Sequence, residues 1–217
     1  MIPHNDKWIY SGSAKERLWE KSAIGQKING NDLLLSPSEV IFCHDHRHIE
    51  WPSNNWLEEE TEKTPNLINE AIILEALRVP GNKIVLTGNM SIGNDWIYNT
   101  NTWGLRWNSD QHPRDGEPIS EVRWFHSSDL IEMNELLSWT VDVKSRNRIP
   151  EILIVDNEQA VVTYNISSEN PKGELMPPTI EDKLLISKFK RIDLENGSLY
   201  YGYKNWPSEQ LGINYQN

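Results

Sequence analysis

Residues 130–166 read LIEMNELLSWTVDVKSRNRIPEILIVDNEQAVVTYNI, and this stretch decides the fold. Its first part predicts an amphipathic helix that is capped by Ser127 or Ser128 and ends near Lys144. The inward face is predicted from apolar residues at helical spacing, namely Leu130, Met133, Leu137 and Val141. We expect the rest of the chain to pack against this helix and the segment that follows it.

The second part of the stretch predicts an antiparallel hairpin. Residues 152–155 form a short apolar run, residues 156–159 supply a polar turn, and residues 160–166 form a second run rich in β-branched side chains. Such a hairpin buries at least one of its faces. A helix followed by this hairpin predicts the α+β (mixed α/β) class.

The segment before residue 130 predicts a further helix and several strands. Thr64 and Pro65 are typical of a helix start, and the helix over residues 66–78 would carry inward Leu67, Ala71, Leu74 and Leu77. Residues 84–86 and 121–126 predict strands, and residues 88–98 predict a turn and a strand that ends in the exposed Tyr98. Residues 99–118 predict a long surface loop.

The N-terminal region predicts a small separate domain of helices and strands. A helix is predicted within residues 13–31, and another begins at Ser36, where Pro37 takes the first helical position and Glu39 completes a capping box. Residues 53–63 are polar and acidic, which predicts a linker or a solvated turn. Beyond residue 168 we predict a Pro-rich linker, a short helix and one or two strands. The predicted domains are residues 1–62, 63–168 and 169–217.

Charge and composition restrict the partners of the chain. It has 217 residues and a formal net charge of -11, so its overall field repels nucleic acid and an RNA site must be a local basic patch. The single cysteine, Cys43, excludes an internal disulfide, and no signal peptide or long apolar run is visible. We therefore expect a soluble cytoplasmic protein without a membrane partner.

A short histidine tract is a candidate metal site. His44, His46 and His48 occupy alternate positions, so an extended backbone would place all three imidazoles on one face. The alternative is a solvated helix end, which the lack of a second ligand cluster in the sequence favours. We therefore predict neither a metal nor a cofactor.

Several motifs resemble, in the same order along the chain, those of archaeal tRNA-intron (tRNA-splicing) endonucleases. Residues 14–43 resemble the family's N-terminal domain, ALRVPGNKIVLTG resembles its LRxRGYVVKTG, and SIGNDWIY resembles its KFGADFRVY. Residues 139–166 resemble its terminal SVRKKLVLAVVDxxGDVTYY. The similarity covers residues 13–167. It implies a restriction-endonuclease-like domain over residues 63–168, behind a small N-terminal domain.

The resemblance implies metal-free RNA cleavage for the family as a whole. In that reaction a ribose 2'-hydroxyl attacks the adjacent phosphorus, which leaves a 2',3'-cyclic phosphate and a 5'-hydroxyl, and a Tyr, a His and a Lys assist. Tyr98 matches the family tyrosine, whereas Ile119 and Pro150 stand at the histidine and lysine positions. With two of three catalytic positions lost, the resemblance implies a structural subunit.

The resemblance implies that such a subunit assembles with a catalytic homologue into a dimer or tetramer. The assembled complex then binds precursor tRNA at its bulge-helix-bulge. In the family an acidic loop docks into a basic pocket of the opposing subunit, and the matching loop here carries Asp156 and Glu158. A basic cluster consists of Lys144, Arg146 and Arg148, and we predict that it makes local RNA contacts. The alternative interpretation is a solvated helix end whose cations favour the C-terminal dipole.

Two other interpretations stay open at this point. An active endonuclease could assemble a relocated site from Tyr98, His112 and Lys144, with His126 as a weaker substitute. The chain could instead be a non-catalytic RNA- or protein-binding module that takes no part in tRNA splicing and holds a metal with the histidine tract.

Overall fold

A computed structural model describes residues 1–90, 96–167, 190–194 and 197–201. The chain divides into two compact units, Met1–Ser168 and Glu169–Asn217. The N-terminal part of the first unit combines a four-stranded sheet with helices. Its strands, in the sheet order β1-β2-β4-β3 with antiparallel neighbours, are β1 (Ile2–His4), β2 (Lys7–Tyr10), β3 (Gln26–Lys27) and β4 (Leu33–Leu35). Its helices are α1 (Lys15–Ser22), α2 (Pro37–Arg47) and α3 (Trp56–Lys63).

The rest of the first unit is a five-stranded mixed sheet with α4 and α5 on opposite faces. In chain order its elements are α4 (Leu67–Arg78), β5 (Lys83–Leu86), β6 (Gly104–Trp107), β7 (Ser120–His126), α5 (Met133–Ser145), β8 (Ile149–Val155) and β9 (Val161–Asn165). The strands lie in sequence order, and only β7 and β8 run parallel. Helix α5 makes the crossover that parallel neighbours require. The chain therefore belongs to the α+β class.

In the second unit, β10 (Lys190–Leu194) pairs antiparallel with β11 (Gly197–Tyr201). This agrees with the strands predicted there, whereas the predicted linker and short helix lie outside the described residues. Among the described helices, none combines the length and the apolar character that a membrane crossing requires.

Three predictions made from residue type and spacing are confirmed. Ser36 caps α2, Pro37 is its first residue, and the Glu39 carboxylate accepts a hydrogen bond from the Ser36 N–H. Helix α4 buries the four residues that the sequence placed inward. The turn over residues 156–159 joins β8 to β9 as predicted.

A buried ion pair joins α2 to α4. Glu39 is 1% exposed and Arg78 is 5% exposed, and Arg78 Nη2 lies 3.4 Å from Glu39 Oε1. Arg78 also donates to three backbone carbonyls, those of Ser22, Ala23 and Ile84. Glu39 accepts from the Gly25 N–H and the Asn89 side-chain amide. The pair therefore fixes the end of α1, α2, α4 and β5 against one another.

The main hydrophobic core of the first unit contains side chains from both sides of residue 62. Leu35 and Phe42 from the N-terminal part pack in one cluster with Leu74, Ile84 and Leu153. The predicted domain boundary between residues 62 and 63 concerns which segments can fold alone, and it stays a prediction.

The predicted inward face of α5 is wrong. Leu130, Met133, Leu137 and Val141 are between 52% and 96% exposed. The side chains that α5 buries are Leu136, Trp139, Thr140 and Val143. Both sets have helical spacing, and the large area of Trp139 decides which one faces the sheet. The helix follows Glu132 without a side-chain cap, so the cap by Ser127 or Ser128 is also wrong, while its end near Lys144 is confirmed.

Two segments that the sequence predicted to be irregular contain regular elements. Residues 53–63 include α3, whose Trp56 is 2% exposed and packs in the main core. Residues 99–118 include β6, a central strand whose Leu105 and Trp107 are 0% exposed. Each element is short and lies among Asn, Asp and Glu residues, which obscured its apolar positions in the sequence.

Candidate functional site at the start of strands β7 and β8

The parallel strands β7 and β8 begin side by side, with Glu121 opposite Pro150. Ile119 lies at the same edge, where its carbonyl accepts a 2.9 Å hydrogen bond from the Ile149 N–H. The two positions that the resemblance assigns to a histidine and a lysine, Ile119 and Pro150, are therefore close neighbours in space. Neither side chain can transfer a proton at this edge of the sheet.

Tyr98 belongs to the segment that reaches this edge. The carbonyl of its neighbour Ile97 accepts a 2.6 Å hydrogen bond from Arg148 Nη1. Tyr98 itself is half-buried and packs against a small cluster in which β5 and β6 meet, that of Ala23, Val85, Leu105 and Trp107. It is neither exposed nor in a regular element, so the prediction for Tyr98 itself is wrong, whereas residues 91–95 of the predicted strand lie outside the described residues.

Glu121 is the centre of a buried polar network at the same place. Its side chain is 0% exposed. Its two oxygens accept hydrogen bonds from Arg146 Nε at 2.8 Å, Arg148 Nη1 at 3.1 Å, Thr102 Oγ1 at 2.6 Å and the Asn99 N–H at 3.1 Å. The carboxylate therefore pairs with two arginines and orders the segment that leads from Tyr98 to β6.

Each of the two arginines has a second carboxylate partner. Arg146 makes two hydrogen bonds of 2.9 Å with Asp142, and these, with one from Asn99, hold the pKa of that carboxyl group below its ordinary value. Arg148 Nη2 lies 2.6 Å from an oxygen of Glu117. Both guanidinium groups predicted to contact RNA are thus engaged with carboxylates of the same chain. Lys144, the third member of that cluster, is exposed near the end of α5.

His112, a proposed substitute for the family histidine, is 4% exposed in the segment between β6 and β7. Its Nδ1 accepts from the Arg114 N–H at 3.2 Å, and its Nε2 donates to the Trp19 carbonyl at 2.9 Å. Because both ring nitrogens are occupied by backbone groups, the imidazole anchors this segment on α1. These contacts do not bring it to Tyr98 or Lys144.

The histidine tract lies in and directly after α2, so the extended arrangement that would align its side chains is wrong. The His44 ring stacks on Trp51 with a centroid distance of 3.8 Å. His46 Nε2 lies 3.0 Å from Glu75 Oε1, and His48 ends the helix in the left-handed conformation. The first two imidazoles therefore have separate partners within the chain. His126, the weaker substitute, pairs with Ser128 at an exposed turn.

The two carboxylates of the β8–β9 turn have different surroundings. Asp156 Oδ1 accepts from the N–H groups of Glu158 and Ala160, each at 2.9 Å, so this carboxylate shapes the turn itself. Glu158 is exposed at the tip of the turn. Of the two predicted interface carboxylates, Glu158 is the one directed to solvent.

The exposed residues of α5 continue onto the edge strand β9. The two flanks of α5 face different strands. Glu135 on one flank pairs with Arg123 of β7 at 2.9 Å, so the opposite flank, which carries the exposed apolar residues, faces β9. Strand β9 is at the edge of the sheet, and its Tyr164 lies opposite Ile152, which packs beneath α5. We call the following set the α5–β9 apolar surface: Met133, Leu137, Val141, Val162 and Tyr164, all between 47% and 69% exposed.

The sequence analysis missed the buried carboxylates that organise this site. Glu121 and Glu151 both lie inside strands, and Glu151 pairs with Arg106 at 2.6 Å. The signal was present, because a glutamate within an otherwise apolar strand is seldom buried without a cationic partner. Glu117 had no such signal, since it precedes β7 in a polar segment.

Comparison with known proteins identifies no family for this chain. No protein-family model matches it. No curated protein matches it.

Proposed function

We propose that this chain is a non-catalytic, structural subunit of a tRNA-intron endonuclease and supports a homologous catalytic partner. The partner would cut precursor tRNA at the bulge-helix-bulge and leave 2',3'-cyclic phosphate and 5'-hydroxyl ends. The colinear motifs of residues 13–167 support this assignment. The order α4-β5-β6-β7-α5-β8, with a parallel β7–β8 pair, supports a restriction-endonuclease-like core.

The observation that carries the proposal is what occupies the start of β7 and β8. In-line attack by a 2'-hydroxyl needs a base, an acid and unpaired positive charge near the phosphorane. Here the edge presents Ile119 and Pro150, and Arg146 and Arg148 are paired with carboxylates. Tyr98 alone cannot supply the three roles. A closed ion-pair network of this kind stabilises the fold but does not cleave RNA.

The contacts of the proposed substitutes also favour a structural role. His112 is fixed by two backbone hydrogen bonds against α1, and Lys144 is exposed on α5. A relocated Tyr98–His112–Lys144 site would require the three side chains to converge within hydrogen-bond reach of one phosphate. Their contacts do not favour that arrangement.

The α5–β9 apolar surface is the proposed contact with the catalytic partner. An edge strand offers free backbone donors and acceptors, and an apolar patch beside it loses water on association. Its position next to the β8–β9 turn places the exposed Glu158 at its border, where a carboxylate can pair with a cation of the partner.

A charge placed within this surface should block assembly without harming the fold. We expect Leu137→Asp to weaken binding of the catalytic homologue by at least about tenfold, because the partner would have to desolvate the new carboxylate. The control is Ser138→Asp, which adds the same charge at the next exposed position of α5, outside the surface. Fluorescence anisotropy with a labelled homologue measures both. Equal affinities for the two variants would exclude the α5–β9 apolar surface as the interface.

Reconstitution tests the proposed function itself. The catalytic homologue would be assayed in EDTA on a bulge-helix-bulge precursor RNA, with and without this chain, and the product ends identified. We expect this chain to raise the cleavage rate severalfold and to leave 2',3'-cyclic phosphate ends. A homologue whose rate is unchanged by a saturating amount of this chain would refute the proposal.

A further inference from the structure

Glu117 and Arg148 form an ion pair of unequal burial. The Arg148 side chain is 5% exposed, whereas the Glu117 side chain is 69% exposed, although their atoms are 2.6 Å apart. The other carboxylate on Arg148, Glu121, is 0% exposed and has four donors. Glu121 is thus a permanent partner, while Glu117 covers the guanidinium from the solvent side and can leave at little cost.

Glu117 also lines the wall of a cavity of about 620 Å³, whereas Arg148 does not line the cavity and adjoins it through its contact with Glu117. Two indoles, those of Trp19 and Trp96, and two cations, Lys27 and Arg114, line the same cavity. Aromatic faces together with cationic side chains are typical of sites that hold single-stranded nucleic acid, because bases stack on the rings and phosphates pair with the cations.

The cations of this cavity are neutralised in the same way as Arg148. Glu20 pairs with Lys27 at 2.7 Å and also contacts Arg114, and Asp115 lies 3.5 Å from Arg114. These carboxylates are 36% and 64% exposed, so each can exchange its cation for water. The cations that line the cavity are therefore each paired with an exposed carboxylate.

We propose that this cavity binds a phosphodiester of single-stranded RNA and that Glu117 is the carboxylate which that phosphate displaces from Arg148. A carboxylate and a phosphate offer the guanidinium the same paired oxygens, so one can replace the other without a change in the arginine's position. The choice of RNA rests on the proposed function. Because exposed carboxylates such as Glu117 can be displaced from their cations, a chain with a formal net charge of -11 can still carry a local RNA site.

The test is the binding of a short fluorescein-labelled oligouridylate to the full chain, measured by anisotropy. We expect Glu117→Gln to tighten binding by about tenfold, because a charge-assisted hydrogen bond to phosphate becomes available without displacing a carboxylate. The dependence of log K on log salt should steepen by about 0.7, because the Glu117 carboxylate that RNA displaces in the parent chain takes up a cation from solution, whereas the glutamine does not. Glu117 is largely exposed, so this variant should fold normally.

Glu59→Gln is the matched control, since it removes one negative charge from an exposed position on α3. It should change the affinity by less than about twofold. Arg114→Gln in the Glu117→Gln background should reverse most of the gain. Equal effects of Glu117→Gln and Glu59→Gln on the affinity, or no effect of Arg114→Gln in the Glu117→Gln background, would overturn the proposal.

A phosphate from another source is distinguished by competition. Inorganic phosphate at matched ionic strength should displace the probe no better than chloride, because it has no bases to stack on the indoles. Displacement at low millimolar phosphate would assign the cavity to a free phosphate and overturn RNA as its ligand. The assay needs neither a partner nor cleavage, so its failure is distinguishable from failure of the structural-subunit proposal.

Discussion

Arg78→Met should lower the free energy of unfolding by about 3–5 kcal/mol, because it leaves a buried carboxylate without its cation. Glu39, at 1% exposure, would keep only neutral donors, those of Gly25, Ser36 and Asn89. Three backbone carbonyls at the end of α1 and in β5 would lose their donor as well. Urea denaturation followed by tryptophan fluorescence measures the loss.

The control for this prediction is Arg17→Met. Arg17 is exposed on α1, so the same change of side chain should alter the free energy of unfolding by no more than about 0.5 kcal/mol. Should Arg78→Met cost less than about 1 kcal/mol, the pair with Glu39 would not be the structural link between α2 and α4 described here.

Glu121→Gln should lower the free energy of unfolding by about 3 kcal/mol, at the lower end of the range for breaking a buried ion pair. The loss is limited because Arg146 keeps Asp142 and Arg148 keeps Glu117. The hydrogen bonds of Glu121 to Asn99 and Thr102 also weaken. Amide hydrogen exchange should therefore rise in the segment from Tyr98 to Thr102 before it rises elsewhere.

Glu132→Gln removes the same charge from an exposed position before α5 and makes no side-chain cap there. It should leave both stability and hydrogen exchange within error of the parent chain. If Glu121→Gln behaved like this control, Glu121 would not hold the network together, and the start of β7 and β8 would be free to adopt another arrangement.

The fold was predictable where a local pattern has one structural solution. The Ser36–Glu39 capping box, the inward face of α4 and the β8–β9 hairpin each follow from residue type and spacing. The face of α5 was not predictable, because its two apolar stripes have the same period. Only packing against Ile152 of β8 distinguishes the stripe of Trp139 from that of Leu137.

The candidate site was predictable only in position. The resemblance pointed to Ile119 and Pro150, and the parallel register of β7 and β8 makes these two residues neighbours. The network around Glu121 depends on residues that are far apart in sequence, such as Thr102 and Arg146. No spacing rule joins them. Likewise, the burial of His112 against α1 depends on a tertiary contact with Trp19.

The central claim is that this chain does not itself cleave RNA, and single-turnover cleavage of a bulge-helix-bulge precursor by this chain alone, in EDTA, tests it most directly. We expect no cleavage above the rate without protein, and no change on Tyr98→Phe or His112→Ala. Products with 2',3'-cyclic phosphate ends that disappear in either variant would contradict the account and assign catalysis to a relocated site.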